Sequence, residues 1–80
     1  MTEQEKQQVR DRIGMRISFL RKMAGLTKEQ LAERAGLRSS NIERIEAGRY
    51  AVNINTLQAI AEALGMTVDI VEKNSVDLKP

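Results

Sequence analysis

The chain contains no cysteine and no histidine, and its aromatic residues are Phe19 and Tyr50 alone. Without thiols or imidazoles there is no disulfide, no thiol nucleophile, no imidazole base and no zinc site of the usual kind. Enzymatic readings therefore lose most of their parts. Isolated acids such as Glu29, Glu33 and Asp69 exist, yet no converging pair or nucleophile accompanies them. Two aromatics, one of them set beside an apolar stripe in the first helix, make no stacking platform for RNA or single strands. No stretch approaches the roughly 18 apolar residues of a membrane span, and the polar start MTEQEKQQ has no apolar signal region. The expectation is a cytoplasmic protein that is no enzyme, with no metal, no cofactor and no membrane partner.

What is present fits one small domain. Eighty residues, 41% of them apolar, support a single core of modest size. Thirteen Lys plus Arg against eleven Asp plus Glu leave a formal charge of +2, too mild by itself to indicate nucleic acid. The distribution is more telling than the total. Arg10, Arg12, Arg16, Arg21 and Lys22 load the N-terminal third, and Arg34, Arg38, Arg44 and Arg49 recur through the middle. Taken alone, such runs are ordinary solvated faces.

The segment from Thr27 to Glu46 reads as a helix, a tight turn and a second helix: TKEQLAERAG, then LRSSNIERIE. Leu31, Ala32 and Ala35 share one face of the first, and Ile42 and Ile45 form a matching i, i+3 pair on the second. Thr27 can cap the first helix by accepting from a backbone N–H near Glu29 or Gln30, and Gly36 suits a left-handed terminating residue. The turn between them is about three residues long. Ala32 is small where the helices would cross, so the pair can pack closely.

Glycines at 14, 25, 36, 48 and 65 punctuate the rest, and the last four each follow a helical run. Thr2 and Glu5 have capping-box spacing, which starts a first helix near Glu3 and carries it to about Ala24. Val9, Ile13, Ile17, Leu20 and Ala24 form its core-facing stripe, and the residues before Val9 are expected to fray. Gly14 inside this helix costs about 1 kcal/mol relative to Ala, and is either tolerated or required by a close backbone. After the connection RYAVN, Asn53 caps a fourth helix in which Ile54, Leu57, Ile60, Ala61 and Leu64 share a face that ends at Gly65.

The tail changes character. Met66, Val68 and Ile70 alternate with Thr67, Asp69 and Val71, and the β-branched content favours a strand over a fifth helix capped by Thr67. A lone strand needs a partner, and the same segment of a second copy can supply one across a two-fold axis. Val68, Ile70 and Val71 are then the dimerisation residues. The expected division is one folded domain over 1–66, with its helix-turn-helix unit at 27–46, a dimerisation strand over 67–73 and a disordered tail over 74–80.

Small Ala32, Gly36 in the turn, apolar Ile42 and Ile45, LAERAG closing one helix and IEAG closing the next stand in register with IGMRISFLRKMAG before them and NTLQAIAEALGM after. From about Ile13 to Gly65 the chain resembles the lambda repressor and Cro-like helix-turn-helix family, often called the Xre family. That resemblance implies an all-α bundle of four to five helices, here with the short C-terminal strand pairing between subunits. It also implies docking on double-stranded DNA with the third helix in the major groove.

On this resemblance the base-reading residues are Ser39, Ser40, Asn41 and Arg44. A Ser hydroxyl donates and accepts, an Asn amide pairs with adenine, and an Arg guanidinium pairs with guanine. Capping of the third helix is the competing role for Ser39 or Ser40. Phosphate contacts fall to Thr27 and Lys28 at the second helix N-terminus, where free N–H groups favour an anion, and to Arg38, Arg49 and Tyr50 at the edges. The family commonly has Gln where this chain has Lys28. It often has Ser or Thr where this chain has Arg38, so Ser39 becomes the candidate cap. Arg21 and Glu46 match the family's structural ion pair between the first helix and the end of the third. The implied function is a sequence-specific transcriptional regulator, a repressor that binds a palindromic operator as a homodimer. The alternative is the antitoxin of a toxin-antitoxin pair, which binds its toxin partner and represses its own operon.

Overall fold

The computed structural model describes residues 1–73, so the tail expected over 74–80 lies outside the described residues. Four helices follow in order: α1 (Glu3–Met23), α2 (Lys28–Ala35), α3 (Ser39–Glu46) and α4 (Ile54–Ala63). Local chemistry accounts for three of the four starts. The Thr2 hydroxyl accepts from Glu5 N at 3.0 Å, and the Glu5 carboxylate accepts from Thr2 N at 2.8 Å. Thr27 and Gln30 repeat this reciprocal cap on α2, at 3.0 and 2.8 Å. At α4 the Asn53 side chain accepts from Thr56 N at 2.8 Å. Each of these satisfies backbone donors that a helix start leaves open.

All four helices stop by one device. Gly36, at φ 71°, turns the chain left-handed, so that its own N–H reaches Glu33 O and the Leu37 N–H reaches Ala32 O at 2.8 Å. The same pair of bonds recurs around Gly25, Gly48 and Gly65. The expectation that these four glycines mark helix ends therefore holds, and an L side chain at any of them would strain the reversal.

The core is small and lies between α2, α3, α4 and the middle of α1. Leu31, Ile42 and Ile60 are fully buried, joined by Ile17, Leu26, Ala32 and Ile45. Ile13, Ala35, Leu37, Val52, Leu57, Ala63 and Leu64 close its rim. Helix α2 packs on both α3 and α4, while α1 packs on α3. Truncating a fully buried Leu or Ile to Ala costs about 2–5 kcal/mol, so these few side chains hold much of the fold.

Two expectations need correction. Ile54 is 73% exposed, because at the first turn of α4 it points away from the face that Leu57, Ile60 and Leu64 bury. Val9 and Ala24, at the two ends of the α1 stripe, are exposed, since the core reaches only the middle of that helix. Residues 66–72 form neither a strand nor a helix in the single chain, and no strand occurs among the described residues. The reason is local pairing. Gln58 on α4 accepts from Val68 N at 3.0 Å and donates to the Thr67 hydroxyl at 3.3 Å, so the tail is tied to its own helix. Beyond that tie Ile70 is 96% exposed and Val71 is exposed as well. Among the described residues no helix is long and apolar enough to cross a membrane.

Candidate nucleic-acid interface

Helix α3 buries Ile42 and Ile45 and thereby turns Ser40, Glu43 and Arg44 outward. Ser39 and Asn41 lie at the margin, half-buried. Arg38 occupies the N-cap position in extended conformation and makes no side-chain cap bond. Neither Ser39 nor Ser40 takes over the cap, because both already lie within the helix. The first N–H groups of α3 thus carry no side-chain partner of the cap type, and its start is electropositive.

Arg44 is the most constrained of the outward residues. Its Nη2 donates to Asn41 Oδ1 at 3.0 Å, one helical turn back. Its guanidinium carbon also lies 5.1 Å from the centre of the Tyr50 ring. The aromatic and the amide hold the cation from two sides, which counts as a cation–π contact in distance.

A shallow open depression lies beside this group, lined by Ser18, Lys28, Glu43, Arg44, Glu46, Ala47 and Arg49. Three cations from three places in the chain, the start of α2, the body of α3 and the loop after it, thus border one concavity. Lys28 Nζ stands 3.9 Å from Glu43 Oε2, a partly exposed pair that adds little stability. Thr27 accepts the Gln30 N–H, which leaves its hydroxyl hydrogen as a donor at the same helix start. Arg38 is exposed at the opposite end of α3. Val68, Ile70 and Val71 lie on the tail beyond α4 and take no part in this concavity.

The floor is fixed from below. Arg21 Nε meets Glu46 Oε2 at 2.6 Å, Nη2 donates to Glu46 Oε1 at 3.0 Å, and Nη1 donates to the Leu26 carbonyl at 2.9 Å. The guanidinium therefore joins α1, the loop before α2 and the end of α3. Its pKa is raised above the ordinary arginine value, first by the hydrogen bonds to Glu46, against the opposing effect of burial, and further by the charges of Glu46 and Glu29.

Gly14 explains how α3 comes so near. A Cβ there would collide with the carbonyl oxygen of Ile45 and stand 2.8 Å from that of Glu46. Of the two readings open for this glycine, close backbone approach is the one realised. The Gln7 amide adds a second tie, donating to the Gly48 carbonyl at 2.8 Å and to Asp11 at 2.8 Å. The early turns of α1, expected to fray, thus have an anchor. No motif in the sequence marks Gln7, Asp11 or Ser18 as part of this region. The signal for Ser18 is its i, i+4 relation to Gly14, since two small residues on one helix face mark where another element can approach.

The helix-turn-helix family model matches residues 17–71. An immunity repressor protein of Bacillus phage phi105 is 44% identical over 59 residues, covering 74% of this chain and 41% of that protein. An uncharacterized HTH-type transcriptional regulator of Methanothermobacter thermautotrophicus is 47% identical over 45 residues, which are 56% of this chain and 65% of that one. The HTH-type regulator y4dJ of Sinorhizobium fredii, also uncharacterized, is 32% identical over 59 residues, with coverage of 74% and 77%. Among solved structures, the clp gene regulator ClgR of Corynebacterium glutamicum superposes with a TM-score of 0.70 at 28% identity, over 72% of this chain and 62% of that chain. The chain thus spans less than half the length of the phage repressor. By sequence and by fold, it belongs to the helix-turn-helix family of the lambda repressor and Cro type.

Proposed function

We propose that the protein is a sequence-specific regulator of transcription that binds double-stranded DNA and acts as a repressor. The observation that carries this reading is the convergence of Lys28, Arg44 and Arg49 on one concavity beside the exposed face of α3. A rigidly braced α2–α3 pair that presents a polar face rimmed by cations suits entry of α3 into the major groove, with α2 crossing the backbone. Ser39, Ser40, Asn41 and Arg44 read base edges. Thr27, Lys28, Arg38 and Arg49 bind phosphates, and Tyr50 stands on the same edge. The names of the relatives, a repressor and transcriptional regulators, agree with this reading.

Two copies act together. The tail leaves Ile70 and Val71 uncovered in the single chain, and pairing of Val68, Ile70 and Val71 with a second copy would hide them. Two recognition helices about 34 Å apart then select a palindrome. Selection of bound duplexes from a random pool tests this directly. A palindromic motif with half-sites about one helical turn apart is expected; an asymmetric motif would refute the dimer, and no enrichment would refute sequence-specific binding.

A second reading, an antitoxin that neutralises a partner toxin, draws on a different observation. Met15, Phe19 and Met23 are exposed at i, i+4 spacing on α1, opposite the core stripe. Phe19, placed beside the buried stripe by sequence, instead lies on this outer face, with Arg16 5.9 Å from its ring centre. Co-purification of a stoichiometric protein encoded beside this gene, lost on changing Phe19 to Glu, would favour this reading.

A further inference from the structure

Tyr50 has a role that its position at the edge of the interface does not announce. We propose that Tyr50 is a positioning residue: its ring, together with Asn41, fixes the Arg44 guanidinium for reading a guanine, and Asn41 serves Arg44 before it serves any base. The inference rests on the proposed reading of DNA by α3.

Arginine is a long side chain that loses about 2 kcal/mol of rotamer freedom when it is fixed. An exposed arginine that reads a base must meet that cost at the moment of binding, unless it is already held. Here it is held on two sides before any ligand arrives. The Tyr50 ring centre is 5.1 Å from the guanidinium carbon, and Asn41 Oδ1 takes one hydrogen of Nη2 at 3.0 Å. Nη2 has a second hydrogen, and Nη1 and Nε keep theirs, so a two-point edge remains for guanine O6 and N7. The Gly48 reversal between Arg44 and Tyr50 closes with Arg49 N donating to Arg44 O at 2.9 Å, which brings the loop back over the helix that carries the arginine.

Asn41 is altered by the same bond. Pairing with adenine needs the amide oxygen as acceptor and the amide nitrogen as donor at once. With one lone pair of Oδ1 engaged by Arg44, the second lone pair and the nitrogen hydrogens remain for a base, and the bond to Arg44 fixes the direction in which they face. Asn41 and Arg44 therefore read as one unit, and changing either alters the same position of the site. Tyr50 acts through Arg44 by its ring face, so its hydroxyl is dispensable to this role.

The test uses the full chain and its Y50F and Y50L variants, with a duplex taken from random-pool selection and the same duplex changed at one base pair. Wild type and Y50F should prefer the guanine equally. Y50L should lose about two- to fivefold of that preference, in the range of an exposed cation–π contact, while the slope of log affinity against log salt stays unchanged. In the free protein, NMR should show Arg44 side-chain protons shifted upfield by the ring in wild type and Y50F, and not in Y50L. A loss of guanine preference in Y50F as large as that in Y50L would assign the role to the hydroxyl and overturn the proposal. Unchanged guanine preference in Y50L, or no ring shift in wild type, would overturn it as well. Failure of wild type to enrich any duplex is a separate outcome, which removes the DNA-reading function on which the proposal stands.

Discussion

Arg21 holds both carboxylate oxygens of Glu46, at 2.6 and 3.0 Å, with only 9% and 7% of the two side chains exposed. A pair this deeply buried is judged by what remains when one partner goes. Arg21→Ala leaves the Glu46 charge and the Leu26 carbonyl unpaired, and Glu46→Ala leaves a buried cation; each should cost about 3–5 kcal/mol in denaturant unfolding. Domains of this size have about 4–12 kcal/mol in total, so either variant should be close to unfolding at 37 °C. Because the Arg21 pKa is raised, its contribution is complete below the ordinary arginine value and is lost only as pH rises through the higher folded value. Over about pH 6–9 it should stay constant.

Gly14→Ala sets two effects against each other. Alanine gains about 1 kcal/mol in helix propensity, yet its Cβ meets backbone oxygens of Ile45 and Glu46 that cannot swing aside as a flexible side chain can. Overpacking should win, with a net loss of about 1–3 kcal/mol by thermal or denaturant melting. A stabilised variant would mean that α1 and α3 separate at little cost.

Lys28 and Arg44 should fail differently. Lys28→Ala should remove the phosphate contact proposed for it, weakening all duplexes alike and lowering the salt slope by about one unit. Arg44→Ala should cost about 1–3 kcal/mol on the selected site and relax preference at one base pair. Titrations by fluorescence anisotropy at several salt concentrations separate the two. Equal losses on selected and random duplexes for Arg44→Ala would remove it from base reading.

Ile70 is 96% exposed, and its N–H is satisfied only by the neighbouring Asp69 side chain, at 2.7 Å. Proline there removes the donor that a paired strand would need. On the proposed pairing of tails, the parent chain should sediment as a dimer and Ile70→Pro as a monomer at the same concentration. A dimer that survives the change would place the interface elsewhere.

Features set by near neighbours were legible in the chain. The Thr2–Glu5 capping pair, the Thr27 cap, the glycine stops and the Ile42–Ile45 face depend on residues three to five positions apart, and their chemistry is local. Features set by tertiary approach were not. Nothing within a few positions of Gln7 shows that its amide reaches Gly48, or that Leu26, in a loop, completes the core. The tail is legible only in part for the same reason: alternation describes a strand only if a partner exists, and in the single chain Gln58 takes the Val68 N–H. At the interface, residue types were readable but their mutual contacts were not. Arg44, Asn41 and Tyr50 could each be named, while the grip of two on the third required the loop after Gly48 to fold back.

The proposed entry of α3 into the major groove can be read by guanine methylation interference on a selected duplex. Methylation at N7 blocks the major-groove edge that Arg44 is assigned to read. Strong interference is expected at one guanine in each half-site, the two separated by about one helical turn, with loss of that interference in Arg44→Ala. Binding indifferent to N7 methylation, or blocked only by methylation at adenine N3 in the minor groove, would contradict it.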